Sequence, residues 1–308
     1  MILFEGLPGS GKSTSSQAIY LALRRAGRNV LWFAEDQRPH PLVDDTPLAE
    51  IGDPPQLAAY ALSQWRRLAA EARASDSRLV LDAALFGMTL GTLLRADAAL
   101  AVMTATVLQI EAEIADLDPV VVYLLPADVD AAFDVTLERR GDTWVTHFAG
   151  EISQSPYALA RGGTGVDLVR TYLKELDEVS NVVFGSLSCA RHSVDPVDCD
   201  GDGPNGPIQQ ILGTATSAEW VPAANPIEGF AGSYRCLEAD VTITLRADGP
   251  HLVVDQERGA RLVPVDDGRF MVQGMPVDVW FETGSDCHLL FEARTANPEQ
   301  FPGRWVRI

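Results

Sequence analysis

Nine residues near the start of the chain, Gly6-Leu7-Pro8-Gly9-Ser10-Gly11-Lys12-Ser13-Thr14, have the spacing G-x-x-x-x-G-K-[ST]. The chemistry of that spacing is phosphate binding. Glycines let the backbone curl so that successive N–H groups face phosphate oxygens. A helix beginning there adds its unpaired N-terminal N–H groups and the positive end of its dipole. Lys12 is placed to reach the outer phosphates and the Ser13 hydroxyl to hold a magnesium ion, with Gly6, Gly9, Ser10, Gly11 and Thr14 completing the cradle. Of the 24 lysines and arginines, only Lys12 and Lys174 are lysines. A composition so biased toward arginine still places lysine where a compact ammonium suits the site better than a planar fork.

Carboxylates and arginines further along can complete a phosphoryl-transfer site. Asp82 closes the apolar run Arg78-Leu79-Val80-Leu81. There it can order the water shell of a metal ion or accept the proton of a substrate hydroxyl; capping the next helix is the alternative. Glu35 and Asp36 close the run Asn29-Val30-Leu31-Trp32-Phe33. Asp36 is the preferred second carboxylate, as hydroxyl ligand or base, and Glu35 the fallback, since adjacent residues leaving a strand point in opposite directions. Arg139 and Arg140 suit a lid that brings cations over the transferring phosphoryl group, and Arg161, beside two glycines, is of the same type. Tyr60, Trp65, Arg66 and Arg67 can line an acceptor pocket or cover a helix surface. His40, between two prolines, reads as a surface histidine.

The elements that must carry these residues alternate. Met1-Ile2-Leu3-Phe4, the run ending at Phe33, the run ending at Asp82, and Val120-Val121-Val122-Tyr123-Leu124-Leu125 are four apolar strands, with a weaker fifth in the stretch from Ser188 to Val194. Helical spacing fills the gaps. Ile19, Ala22, Leu23 and Ala26 precede Gly27, and Leu100, Met103, Val107, Ile110, Ile114 and Leu117 form a long stripe. Strand–helix alternation predicts an α/β fold with a parallel sheet and right-handed crossovers. The connection from Ala34 to Ser77 is long enough to hold a helical substrate-binding arm.

From about Pro226 the texture changes to short alternating runs with turn residues between them. These are Val241–Leu245, His251–Val254, Arg261–Pro264, Arg269–Val272, Val277–Phe281, His288–Phe291 and Arg304–Ile308. They predict a small antiparallel β domain, sandwich or barrel-like, so that the chain divides into residues 1–225 and 226–308. Binding, covering a site and dimerisation into a homo-oligomer are the roles open to it. Between the two regions, Asp198, Asp200 and Asp202 alternate as in a calcium loop, but no glutamate closes the frame, and the segment reads as an acidic turn.

A net charge of −19 argues against general affinity for nucleic acid or anionic membrane. No apolar run approaches the ~20 residues that span a bilayer. The phosphate loop follows the N-terminus at once, leaving no room for a signal peptide. Cys189, Cys199, Cys236 and Cys287 form no C-x-x-C pair and read as reduced thiols. Together these predict a cytoplasmic protein.

The run Glu5-Gly6-Leu7-Pro8-Gly9-Ser10-Gly11-Lys12-Ser13-Thr14, Asp36, Asp82 and the Arg139-Arg140 pair resemble P-loop nucleoside and nucleotide kinases, especially the thymidylate-kinase-like branch. The resemblance covers about the first 215 residues. It implies a five-stranded parallel sheet, a helical acceptor arm and an arginine-bearing lid, with ATP and Mg2+ served by Lys12 and Ser13. Two features depart from the pattern. Strand three ends Asp82-Ala83-Ala84, without the arginine that thymidylate kinases commonly place next, and a β domain is appended. The expectation is an ATP-dependent phosphotransferase acting on a small-molecule hydroxyl such as a nucleoside, sugar or antibiotic-like natural product. The alternatives are a nucleoside-monophosphate kinase and a nucleotide-dependent switch or ATPase whose β domain binds a partner.

Overall fold

The computed structural model describes residues 1–43, 53–196, 208, 212–213, 227–249, 251–255, 259–266, 268–282, 288–295 and 303–308. The aspartate-rich turn from Asp198 lies outside these residues, as do Cys199 and Cys287. The chain forms two compact units. One holds Met1–Glu35 and His40–Ala215; the other holds Asp36–Pro39 and Thr216–Ile308.

The first unit is a parallel sheet of β1 (Ile2–Gly6), β2 (Val30–Phe33), β3 (Arg78–Asp82), β4 (Val120–Leu124) and β5 (Ala190–Val194), in the order β2-β3-β1-β4-β5. The apolar runs form strands because helices cover both faces of such a sheet, so that every position of β1 up to Glu5 is buried. β1 is central, pairing β3 from Ile2↔Val80 to Phe4↔Asp82 and β4 from Ile2↔Val120 to Gly6↔Leu124. This topology is compatible with a P-loop-like α/β fold.

The helices are α1 (Lys12–Arg25), α2 (Pro54–Ser75), α3 (Gly91–Arg95), α4 (Leu100–Ile114), α5 (Val129–Ser153), α6 (Pro156–Arg161) and α7 (Gly165–Ser186). Of the stripe read from Leu100 to Leu117, Met103, Val107, Ile110 and Ile114 form the buried face of α4, while Leu100 at its start is exposed and Leu117 lies in the 3-10 turn that follows. α2 starts at Asp53, whose side chain accepts from Gln56 N–H, with prolines opening the first turn. Between β3 and α3, Ala84–Leu90 form a π-helix, and Met88 N–H reaches back five residues to Ala83 O (2.7 Å). The apolar content of this stretch announced burial; nothing in it announced the wider helix. Among the described residues no helix is long and apolar enough to cross a membrane.

The second unit holds β6 (Gly232–Cys236), β7 (Thr242–Asp248), β8 (His251–Val254), β9 (Arg261–Asp266), β10 (Arg269–Val272), β11 (Val277–Glu282), β12 (His288–Ala293) and β13 (Arg304–Arg307), closed into an antiparallel barrel in the order β10-β11-β12-β13-β6-β7-β8-β9. Seven strands coincide with the alternating runs. The eighth, β6 (Gly232–Cys236), has only Tyr234 and Cys236 buried and so lacks a long alternation. It closes the barrel by pairing β13 on one side and β7 on the other, which resolves barrel against sandwich. Each strand contributes to one apolar cluster, among them Tyr234, Leu245, Leu252, Leu262, Phe270, Val279, Leu289 and Trp305. The 3-10 turn Ile227–Phe230 joins this cluster, and Phe230 stacks on Phe281 with ring centres 4.4 Å apart. Asp36–Pro39 belong to this unit because Arg38 N–H donates to Arg294 O (2.7 Å) and Gln37 bridges Thr295.

Candidate active site

The site lies at the carboxyl ends of the first unit's strands, where open parallel sheets bind ligands. Gly6 ends β1 and Gly11 is the N-cap of α1, which begins with no side-chain cap on its N–H groups. The first N–H groups of a helix have no partner within it, and an anion is the kind of ligand such groups suit. The loop is braced from three sides. Ser10 N–H donates to Leu7 O (3.1 Å) inside it. Gly9, at φ +84°, lies against Thr136 of α5, so that a β-carbon would collide with that side chain. Thr136 in turn donates to Pro8 O (3.2 Å). Trp32 Nε1 donates to Ser16 Oγ (2.9 Å), and Ser16 Oγ donates to Ser13 O (3.0 Å), tying β2 to the first turn of α1. The Ser10 hydroxyl is buried and has no hydrogen-bond partner among the described residues.

Lys12 is 5% exposed, and its Nζ lies 3.5 Å from Glu35 Oε2. Glu35 follows β2 with its side chain about half exposed. Asp82 ends β3 with only 1% exposure. The loop, Lys12, Ser13, Thr14, Asp82 and Glu35 therefore share one sheet edge. Asp36 is exposed and groups with the second unit, so adjacent carboxylates that the sequence offered as alternatives belong to different bodies.

One participant escaped the sequence reading. Glu5 is fully buried, and its two carboxylate oxygens each accept a backbone N–H, from Leu85 and from Phe86, both at 2.8 Å. Burial pushes its carboxyl up to about 8, the two N–H groups oppose the rise, the Asp82 charge adds to it and Lys12 opposes it. Its signal was a lone acid ending an apolar strand, directly before the first loop glycine. Thr136 and Trp32 had no such signal, since each looks like an ordinary helix or strand residue.

The other expected site residues are placed as follows. Arg139 and Arg140 are exposed on α5 immediately before Gly141, whose backbone (φ 76°, ψ 178°) breaks the helix; Arg140 lies over the Trp144 ring. Tyr60 is half-buried on α2. Trp65 is not pocket lining: it is in the core, with Nε1 donating to Thr89 Oγ1 of the π-helix (3.0 Å). Arg66 pairs with Glu113 of α4 (2.8 Å), and Arg67 donates to Pro41 O. Arg161 is held by Asp97 and Glu175, both at 2.6 Å, and stacks on Tyr157. Those two carboxylates already pair its guanidinium. His40 is buried rather than on the surface, because Nδ1 accepts Leu42 N–H (3.1 Å) and its ring meets Phe33 edge-on.

Ser13 and Asp82 supply the hard oxygen donors that suit magnesium. Among the described residues no group of three His, Cys, Asp or Glu side chains forms a protein-only metal cage. No family model matches the chain, and no curated protein is similar enough to it to count as a relative.

Proposed function

We propose that this protein is an ATP-dependent phosphotransferase that moves the γ-phosphoryl group to the hydroxyl of a small molecule. The observation that carries this reading is the meeting, at one sheet edge, of a braced phosphate loop, the buried Lys12 ammonium paired to Glu35, and the buried Asp82. The loop N–H groups and Lys12 hold the donor phosphates. Ser13 and Asp82 would hold magnesium, which when bound offsets charge on the phosphate oxygens. Glu35, the more exposed acid beside Lys12, accepts the proton of the acceptor hydroxyl as its oxygen bonds to phosphorus and ADP departs. Arg139 and Arg140, next to the break at Gly141, serve as the cations of a lid.

A neutral acceptor fits better than a monophosphate. Arg66 and Arg161 are committed to carboxylates, and the residues after Asp82 are the buried Ala83 and Ala84. The test is incubation with ATP, magnesium and a metabolite extract, searched by mass spectrometry for a gain of one phosphoryl group, about 80 Da. Lys12→Ala is expected to abolish the product. Normal turnover in Lys12→Ala sinks the assignment, and ADP release without any acceptor points instead to a switch or ATPase.

A further inference from the structure

A π-helix needs its opening N–H groups satisfied, like any helix. The one at Ala84–Leu90 has no local means of doing so. Its N-cap is Ala83, in a left-handed conformation (φ 56°, ψ 19°) and without a capping side chain. The cap comes instead from Glu5, eighty residues away in sequence. Glu5 is the last residue before the phosphate loop begins at Gly6. A local serine or aspartate would satisfy the helix alone; a cap from β1 ties the helix to the strand that carries the loop.

The tie matters because of what the π-helix touches. Asp82 immediately precedes Ala83, whose N–H donates to Phe4 O (2.8 Å). Gly87 presents bare backbone to Glu35: a β-carbon there would stand 3.5 Å from Glu35 Oε1 and 2.7 Å from the Ala83 side chain. Thr89 donates to Ala84 O and accepts from Trp65, fixing the far end. Phe86 meets Tyr123 of β4 edge-on, ring centres 5.3 Å apart. The helix is thus a rigid spacer between Asp82 and Glu35.

We infer that Glu5 is a positioning residue for phosphoryl transfer: by accepting the N–H groups of Leu85 and Phe86, its buried carboxyl group sets the π-helix that fixes the spacing of Asp82 and Glu35. The inference rests on the phosphotransferase reading, but its first readout does not. Glu5→Gln keeps the shape and replaces one acceptor oxygen with a donor facing an N–H group. Hydrogen exchange across residues 84–90 is expected to rise by about tenfold, as for leaving a buried N–H group unsatisfied. Affinity for a fluorescent magnesium–ATP analogue is expected to stay within about twofold while kcat falls, the split that marks positioning rather than binding. Unchanged exchange overturns the inference, and so does nucleotide affinity falling in step with kcat. If Glu5→Gln does not fold, Thr89→Val releases the other end of the same helix. Wild-type kcat in that variant also overturns it. Failure of the kinase reading appears separately, as an active Lys12→Ala.

Discussion

Lys12 and Glu35 form a pair of unequal partners: the ammonium is sealed from solvent while half of the carboxylate side chain stays in contact with it. On the phosphotransferase reading proposed above, an acid in that position would meet an acceptor from solution beside the lysine that holds the donor phosphates. Glu35→Gln is expected to lower turnover by about 10²- to 10⁴-fold, the range of general-base catalysis. The measurement is kcat alongside nucleotide affinity, which is expected to move far less. Arg161 behaves differently. Its guanidinium bridges Asp97 and Glu175 on a partly exposed surface. Arg161→Gln is expected to cost about 1 kcal/mol in a urea titration, the size of a surface ion-pair network, with turnover unchanged. A loss of turnover without a loss of stability would return Arg161 to the site.

At the scale of elements, the π-helix stands between Asp82 and Glu35. Its widened turn brings Gly87 against Ala83, where the side-chain atom in the way is a β-carbon that no rotamer can move. Gly87→Ala is therefore expected to destabilise the protein by about 1–3 kcal/mol, as overpacking does, and to lower turnover by displacing Asp82 relative to Glu35. Thermal unfolding and kcat measured on the same preparation check both. An alanine that leaves both unchanged would show that the close approach is not a constraint. The break in α5 has a legible cause in Gly141, the one residue type that adopts its backbone geometry readily. The two arginines stand directly before that break.

For the whole molecule, the buried Glu5 sets a pH dependence of stability. Its folded carboxyl is raised from the ordinary 4.5 to about 8. Between those values the folded protein holds a proton that the unfolded chain has released, so stability falls as pH rises. The contribution is fully present below the ordinary carboxylate value and is lost as pH climbs through about 8, at about 1.4 kcal/mol per pH unit within the window. Urea titrations from pH 5 to 8.5 are expected to show this slope in the wild type and a shallower one in Glu5→Gln. Equal slopes would remove Glu5 as the cause. What unites the barrel's strands is one apolar cluster.

The local pattern alone determined the glycine-and-lysine loop between β1 and α1, the five strands of the parallel sheet, the buried face of α4 and seven of the eight barrel strands. Each is a matter of spacing: glycines around a lysine, periods of two or 3.6, turns between short runs. Tertiary structure decided the rest, for three physical reasons. Long-range partners are not written locally, so the ties of Arg161, Arg66 and Trp65 to Asp97, Glu175, Glu113 and Thr89 are legible only in the folded chain. A short strand with two inward side chains has too little alternation to declare itself, so β6, and with it the closure of the barrel, emerged only from its pairing with β13 and β7. And whether an acid at a strand end faces solvent, a lysine or a helix depends on packing. That is why Glu35 and Asp36, neighbours in sequence, lie in different units, and why the buried cap at Glu5 could be read only from the folded chain.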